Sequence, residues 1–252
     1  KNWCLLYLLS IFCLSHAQNK NTYLVQKIDS TLSSMTIREK VGQLNQLDGR
    51  GTIENLKVLI RKGEIGSVMN VTEPEVVNEL QEIACKQSRT GIPLVFTRDV
   101  VHGFKTMLPI PLGQAATFHP GLIQEGARIA AIEATEHGVR WAFAPMIDIS
   151  RDARWGRIAE SFGEDTYLTE QMAVAVVNGF QGDDLSNPQS MAACAKHFIG
   201  YGSVEGGRDY NSTHIPERLL RDVYLPPFEK AVKANCSSIM TSFNDNDGIP
   251  AT

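Results

Sequence analysis

Residues 191–241 read MAACAKHFIGYGSVEGGRDYNSTHIPERLLRDVYLPPFEKAVKANCSSIMT. A short apolar run, Met191 to Ala195, stops against Lys196 and His197. A glycine-punctuated loop follows, and Pro216 opens a segment in which Leu220, Val223, Phe228 and Val232 form an apolar face at helical spacing. Ser238 to Thr241 then starts a second apolar run. Strand, helix and strand in this succession predict a βαβ unit, whose two strands lie parallel.

The same rhythm extends toward the amino terminus. Trp141 to Ala144 is a strand stopped by Pro145, and a helix follows from Thr166 to Phe180. Leu94 to Phe96 is a strand after the punctuation of Gly91 and Pro93, and Pro120 opens a helix that runs to His137. Ile65 to Met69 is the first strand of the series, with Thr72-Glu-Pro-Glu75 as a capping box for a helix to Gln87. Earlier still, Val25, Ile28 and Leu32 recur at helical spacing. Thr36-Ile-Arg-Glu39 caps a helix expected to carry Val41, Leu44 and Leu47. Five strands alternating with helices predict an α/β fold with a parallel sheet, either an open doubly wound sheet or part of a (β/α)8 barrel. Gly200, Gly202, Gly206 and Gly207 follow a strand without the G-x-G-x-x-G spacing, and no helix begins directly after them. That disfavours a dinucleotide cofactor and a dehydrogenase.

Composition narrows the partners. Lys and Arg number 24 against 28 Asp and Glu, a net charge of −4, and no basic run exceeds two residues. A protein that grips phosphates needs a basic footprint, so no nucleic-acid partner is expected. With 43% hydrophobic and 21% charged residues in 252, the chain has the makings of one large folded domain or two small ones.

Lys1, the apolar run Trp3 to Leu14 and Ser15-His16-Ala17 read as a secretory signal peptide, residues 1–17, leaving 18–252 as the mature domain. The run is too short to span a bilayer, so no membrane insertion is expected after cleavage, and the location is periplasmic or extracellular. Cleavage leaves Cys85, Cys194 and Cys236, an odd set expected to behave as small buried hydrophobes. No Cys or His spacing suits a metal, and no cofactor is expected.

In parallel α/β folds the loops after the strands form one rim. The polar residues there are Asn70; Asp99 and His102; Asp148 to Arg157; Lys196 and His197; and Ser242 to Asp247. Carboxylate, guanidinium, ammonium and imidazole groups around one mouth suit a neutral ligand rich in hydroxyls, each of which both donates and accepts. Trp155 or Phe243 would cover the apolar face of a sugar ring. Alternatively, Asp148, Arg151, Asp152, Arg154, Arg157, Glu160, Glu164 and Asp165 form a loop ion-pair network, and His102 fits a packed role as well as a ligand contact.

Four stretches carry a resemblance: GIPLVFTRDVVHGF at 91–104, APMIDISRDARWGRIAESFGEDT at 144–166, AKHFIGYGSVEGGRDYNS at 195–212 and SIMTSFNDNDGIPAT at 238–252. Together they resemble the N-terminal domain of glycoside hydrolase family 3, of the periplasmic β-glucosidase type. The resemblance implies an incomplete (β/α)8 TIM-like barrel with about five to six βα units present and a sugar pocket at its carboxyl face. It implies that Asp99 binds hydroxyls of the non-reducing-end sugar, that Arg157, Lys196 and His197 complete the subsite, and that Met240 and Phe243 line it near the nucleophile. Many relatives carry Tyr where Phe243 stands, so a hydroxyl contact to the nucleophile is not implied here.

A retaining mechanism needs two carboxyl groups about 5 to 5.5 Å apart. The resemblance places the nucleophilic Asp in a Ser-Asp-Trp-like segment and the acid/base in a following α/β sandwich domain, both beyond Thr252, so no catalytic residue is expected in 18–252. The missing barrel strands would leave an open sheet edge, and the isolated piece is expected to aggregate or stay partly molten. The implied activity is hydrolysis of terminal β-D-glucosyl residues from a β-glucoside oligosaccharide or aryl glycoside. The alternatives are a β-xylosidase of the same family or a non-catalytic periplasmic sugar-binding protein. The N-acetylglucosaminidase branch carries a KHFPGHG-like pattern that KHFIGYGSVEGGRDYN lacks.

Overall fold

The computed structural model describes residues 22–252, so the expected signal peptide lies outside the described residues. These residues fall into two compact units. The smaller takes residues up to Leu47 with Thr52–Ser67 and Leu80–Leu94, and the larger takes Asp48–Gly51, Val68–Glu79 and Val95–Thr252.

The smaller unit contains helices α1 (22–34), α2 (Ile37–Gln43), α3 (Ile53–Arg61) and the later turns of α4 (Pro74–Gln87). Thr36 and Glu39 form the reciprocal capping box expected at the start of α2. Glu39 also holds the Arg89 guanidinium, and that hydrogen bond brings its carboxyl down to about 2. The helix expected to reach Leu47 stops at Gln43, and strand β1 (Gln46–Asp48) follows. The cause is long-range pairing: the Asn45 carbonyl accepts the N–H groups of Gly66 and Ser67 at 3.1 and 3.3 Å, which pulls the backbone out of the helix. A three-residue strand is too short to leave a period in the sequence.

The larger unit is built on strands β2 (Ser67–Met69), β3 (Val95–Arg98), β4 (Trp141–Ala142), β5 (Cys194–Phe198) and β6 (Ser238–Thr241). The strand order follows the chain, β1-β2-β3-β4. Parallel bridges from Trp141 to Ala192 and from Met146 to Lys196 join β4 to β5, and β5 pairs parallel with β6. Sequential parallel neighbours separated by helices make an incomplete TIM-like barrel, with one strand more than expected because β1 was hidden. Among the described residues β6 pairs with a strand on its β5 side only, and its Ile239 is 41% exposed.

Helices α5 (Pro111–Ala115), α6 (Pro120–Glu136) and α7 (Thr166–Gln181) belong to the same unit. Pro120 sits in the first turn of α6, and the Asp165 carboxylate caps α7 by accepting the Leu168 N–H at 2.6 Å. The core is made of small side chains. Ala127, Ala130, Ala131 and Ala134 of α6, Ala173 and Ala175 of α7, and Ala142, Ala144, Ala193 and Ala195 at the strands are all buried in one cluster. Such residues let backbones approach closely: a Cβ on Gly179 would stand 2.5 Å from the Gln124 carbonyl oxygen and 2.6 Å from the Ala127 Cβ.

The helix expected from Pro216 is broken into α8 (Glu217–Leu219), a π-helical turn at Leu220–Tyr224 and α9 (Leu225–Lys233). Pro226 and Pro227 have no N–H to return to the preceding turn. The Val223 carbonyl accepts from the Thr166 hydroxyl at 3.3 Å instead. A short antiparallel hairpin, β7 (Asp245–Asn246) and β8 (Ile249–Pro250), follows β6. The three cysteines among the described residues are free; Cys194 is buried and Cys236 partly so, but Cys85 is exposed on α4, against the expectation of burial. No helix among the described residues is long and apolar enough to cross a membrane.

Replacing Gly179 with Ala in the intact protein is expected to cost about 1 to 3 kcal/mol of stability by overpacking, outweighing the gain in helix propensity of about 1 kcal/mol. Urea unfolding measures it, and an unchanged or higher midpoint would contradict the close approach of α6 and α7.

Candidate binding site

The site starts from a buried cation. On β5 the run Cys194, Ala195, Lys196 and His197 is buried, so both functional side chains lie within the strand rather than after it. The Lys196 side chain is 3% exposed, and its ammonium donates to Asp99 Oδ1 at 2.6 Å. Taking an ammonium out of water costs several kcal/mol unless a carboxylate meets it. Asp99 stands directly after β3 and its side chain is 53% exposed. The pair is therefore closed behind the ammonium and open in front of the carboxylate.

His197 is held from behind. Its ring Nδ1 lies 2.8 Å from Asp148 Oδ2, and its backbone N–H donates to the same oxygen at 3.1 Å. Its Nε2 lies 3.3 Å from Arg157 Nη1. Arg157 in turn donates from Nε and Nη2 to the two oxygens of Glu160, at 2.8 and 3.0 Å. Burial works against both charges, yet the bidentate pairing prevails, so the Arg157 pKa is raised and the Glu160 carboxyl lies below its ordinary value. The positive charge of Lys196 pushes Glu160 the same way.

An aromatic wall flanks the histidine. The Phe243 ring, 53% exposed, packs against His197, Tyr201 and Tyr210 with centroids 5.4, 5.5 and 5.4 Å away. Tyr201 is fully buried and its hydroxyl donates to Asp209; burial, then that hydrogen bond and charge, raise its pKa, which leaves a neutral phenol. Trp155, expected as a possible sugar platform, is 1% exposed. Its indole N–H donates to Asp209 at 3.1 Å and its ring meets the Tyr201 edge at 5.2 Å, so it supports the wall from within. Phe243 is the accessible ring of the two.

The remaining expected residues divide. Met240 lies opposite Lys196 in the β5–β6 register, partly buried. His102 places Nδ1 3.1 Å from the Leu108 carbonyl oxygen and is a packed loop residue. The acidic and basic run after β4 is not one network: Asp152 pairs with Arg154, Arg157 with Glu160, Asp165 caps α7, and Asp148 is buried against His197. Asp48, Arg50 and Asn70 were missed as a group because β1 read as helix. Arg50 Nε donates to both oxygens of Asp48 at 3.1 and 2.9 Å, Asn70 Nδ2 reaches Asp48 at 3.3 Å, and the Arg50 pKa is raised by Asp48 first and by the charge of Asp99 last. The Gly49 and Gly51 punctuation around Arg50 was the available signal.

A hollow of about 750 Å³ lies elsewhere, at the amino ends of the strands, lined by Val95, Trp141, Pro188 and Ser238 among others. Its guanidinium, Arg140, is committed to the Pro188 carbonyl. Volume alone does not recognise hydroxyls, and the convergent donors and acceptors stand at the other end.

The depressed Glu160 pKa has a definite sign. A carboxyl lowered on folding stabilises the pair above its unfolded value, and that contribution fades only as pH falls through the folded one. In a ¹³C titration of the intact protein, Glu160 is expected to titrate below its ordinary 4.5. A midpoint at or above that value would contradict the pairing with Arg157.

Comparison with known proteins identifies the family. The glycosyl hydrolase family 3 N terminal domain model matches residues 36–252. The periplasmic beta-glucosidase of Salmonella typhimurium is 37% identical over 227 residues, 89% of this chain and 30% of that protein. A beta-xylosidase of Formosa agariphila is 36% identical over 196 residues, 73% of this chain and 27% of that protein. The crystal structure of beta-glucosidase from Listeria innocua in complex with isofagomine matches with a TM-score of 0.83 and 39% identity, covering 90% of this chain and 33% of that one. The chain thus spans only a third or less of the length of these three relatives. The chain belongs to glycosyl hydrolase family 3, matching its N-terminal domain over residues 36–252.

Proposed function

We propose that the full-length protein is a retaining exo-β-glucosidase that hydrolyses terminal non-reducing β-D-glucosyl residues of oligosaccharides or aryl glycosides, and that residues 18–252 supply its sugar-holding subsite. The observation that carries this is the Lys196–Asp99 pair, with a side chain 3% exposed behind and one 53% exposed in front. An ionised carboxylate in that setting accepts from two sugar hydroxyls while its charge is balanced from within. Arg157, steadied by His197, offers a donor to another hydroxyl, and Phe243 covers an apolar ring face. Met240 lines the same end of the sheet.

The two carboxyl groups of the retaining reaction are assigned outside these 252 residues. Each carboxylate of the cluster is already committed: Asp99 to Lys196, Glu160 to Arg157, Asp148 to His197 and Asp48 to Arg50. None is left free to attack an anomeric carbon or protonate a leaving group. The reaction so proposed uses no metal or organic cofactor. Export to the periplasm or beyond, after cleavage following Ala17, accords with the signal-like start and with the periplasmic relative.

Substrate preference is tested with aryl β-glucoside and β-xyloside on the full-length enzyme. A higher kcat/KM for the glucoside is expected; a higher value for the xyloside would replace the reading with that of the Formosa relative. Asp99→Ala is expected to lower kcat, since hydroxyl contacts strengthen in the oxocarbenium-like transition state. The loss should be about 10- to 150-fold, the equivalent of one charged hydrogen bond of about 1.5 to 3 kcal/mol. A raised KM with unchanged kcat would show that Asp99 binds ground state and transition state alike.

A further inference from the structure

Asp148 stands behind the site rather than in it. Its side chain is 0% exposed, Oδ2 meets both the backbone N–H and the ring Nδ1 of His197, and Oδ1 is buried without a partner. On the far side of the imidazole, Nε2 faces Arg157 Nη1 at 3.3 Å. A guanidinium has five N–H donors and no acceptor, so Nε2 must present its lone pair to it. A neutral imidazole with a lone pair at Nε2 carries its proton at Nδ1, and that proton points at Asp148 Oδ2. The ring has little freedom to turn, because Tyr201 meets it edge-on at 5.2 Å and Phe243 covers it at 5.4 Å.

We infer that Asp148 is a positioning residue that holds His197 as the Nδ1-protonated tautomer, so that Nε2 accepts from Arg157 Nη1 and fixes the guanidinium at the site. Arg157 keeps N–H groups beyond those it gives to Glu160 and His197, and these are the donors it offers to a substrate hydroxyl. Lys196, the preceding residue, only donates, and Asp99 only accepts while ionised. The inference about substrate rests on the proposed sugar subsite; the tautomer does not. Asparagine in place of Asp148 keeps the shape and loses the logic. With its amide nitrogen toward His197 it moves the ring proton to Nε2, donor against donor with Arg157. With its oxygen there, two N–H groups are buried where Oδ1 now has no partner.

A neutron crystal structure of the full-length protein is expected to show deuterium on His197 Nδ1 and none on Nε2. Deuterium on Nε2 would overturn the assignment. Kinetics on an aryl β-glucoside supply the second test. Asp148→Asn is expected to lower kcat/KM about tenfold or more, as loss of an orienting outer contact does elsewhere, and to lower it no further when His197→Ala is already present. An equal loss in both backgrounds would make Asp148 a general structural residue and overturn the proposal. If His197→Ala alone left hydrolysis unchanged, the sugar-subsite reading would fall and the positioning role with it, while the neutron density would still decide the tautomer.

Discussion

A lysine ammonium buried in the middle of a β-strand is the constraint around which the larger unit is arranged. Lys196 lies between β4 and β6, bridged to Met146 and opposite Met240, where water cannot solvate its charge. Its counter-charge must come from a neighbouring strand end, and Asp99 after β3 provides it at 2.6 Å. The spacing of β3, β4 and β5 is thus coupled to one ion pair. Small residues let α6 and α7 sit tightly against these strands, so the pair is held by a core with little slack.

The same economy of partners shapes the rest of the site. Asp99, Arg157 and Glu160 each meet an opposite charge on the protein side and stay partly exposed, which suits an uncharged ligand that asks for hydrogen bonds rather than for net charge. Arg157 divides its donors between Glu160 and the His197 ring. Tyr201 and Trp155 converge on Asp209, leaving Phe243 and Tyr210 as the exposed rings of the wall. Such an arrangement offers hydrogen-bonding groups and a flat apolar face together, which is what the proposed sugar subsite asks of it.

Much of this was legible in the residues, for reasons that differ from place to place. Pro120 and the Thr36 capping box are local signals, and the helices they announce start where expected, while the apolar run before Lys196 announces a strand that extends on through His197. Asp99, Arg157, Lys196, His197 and Phe243 followed from strand ends and from the family resemblance together. What escaped was decided by tertiary contact. β1 owes its existence to Asn45 pairing with Gly66 and Ser67, so Asp48 and Arg50 were not seen as a strand-end pair. Trp155 was offered as a platform, but its indole N–H finds the Asp209 carboxylate and its ring is buried. Asp148 read as a loop charge because nothing in a linear sequence shows that His197 folds over it.

The most direct test of the account is a crystal structure of the full-length protein with glucose. The sugar should lie at the carboxyl ends of the strands, with Asp99 accepting from its hydroxyls, Lys196 and Arg157 donating to them, and Phe243 against the ring. Glucose bound in the hollow at the amino ends, beside Trp141 and Arg140, with the Lys196 and Asp99 cluster vacant, would contradict it.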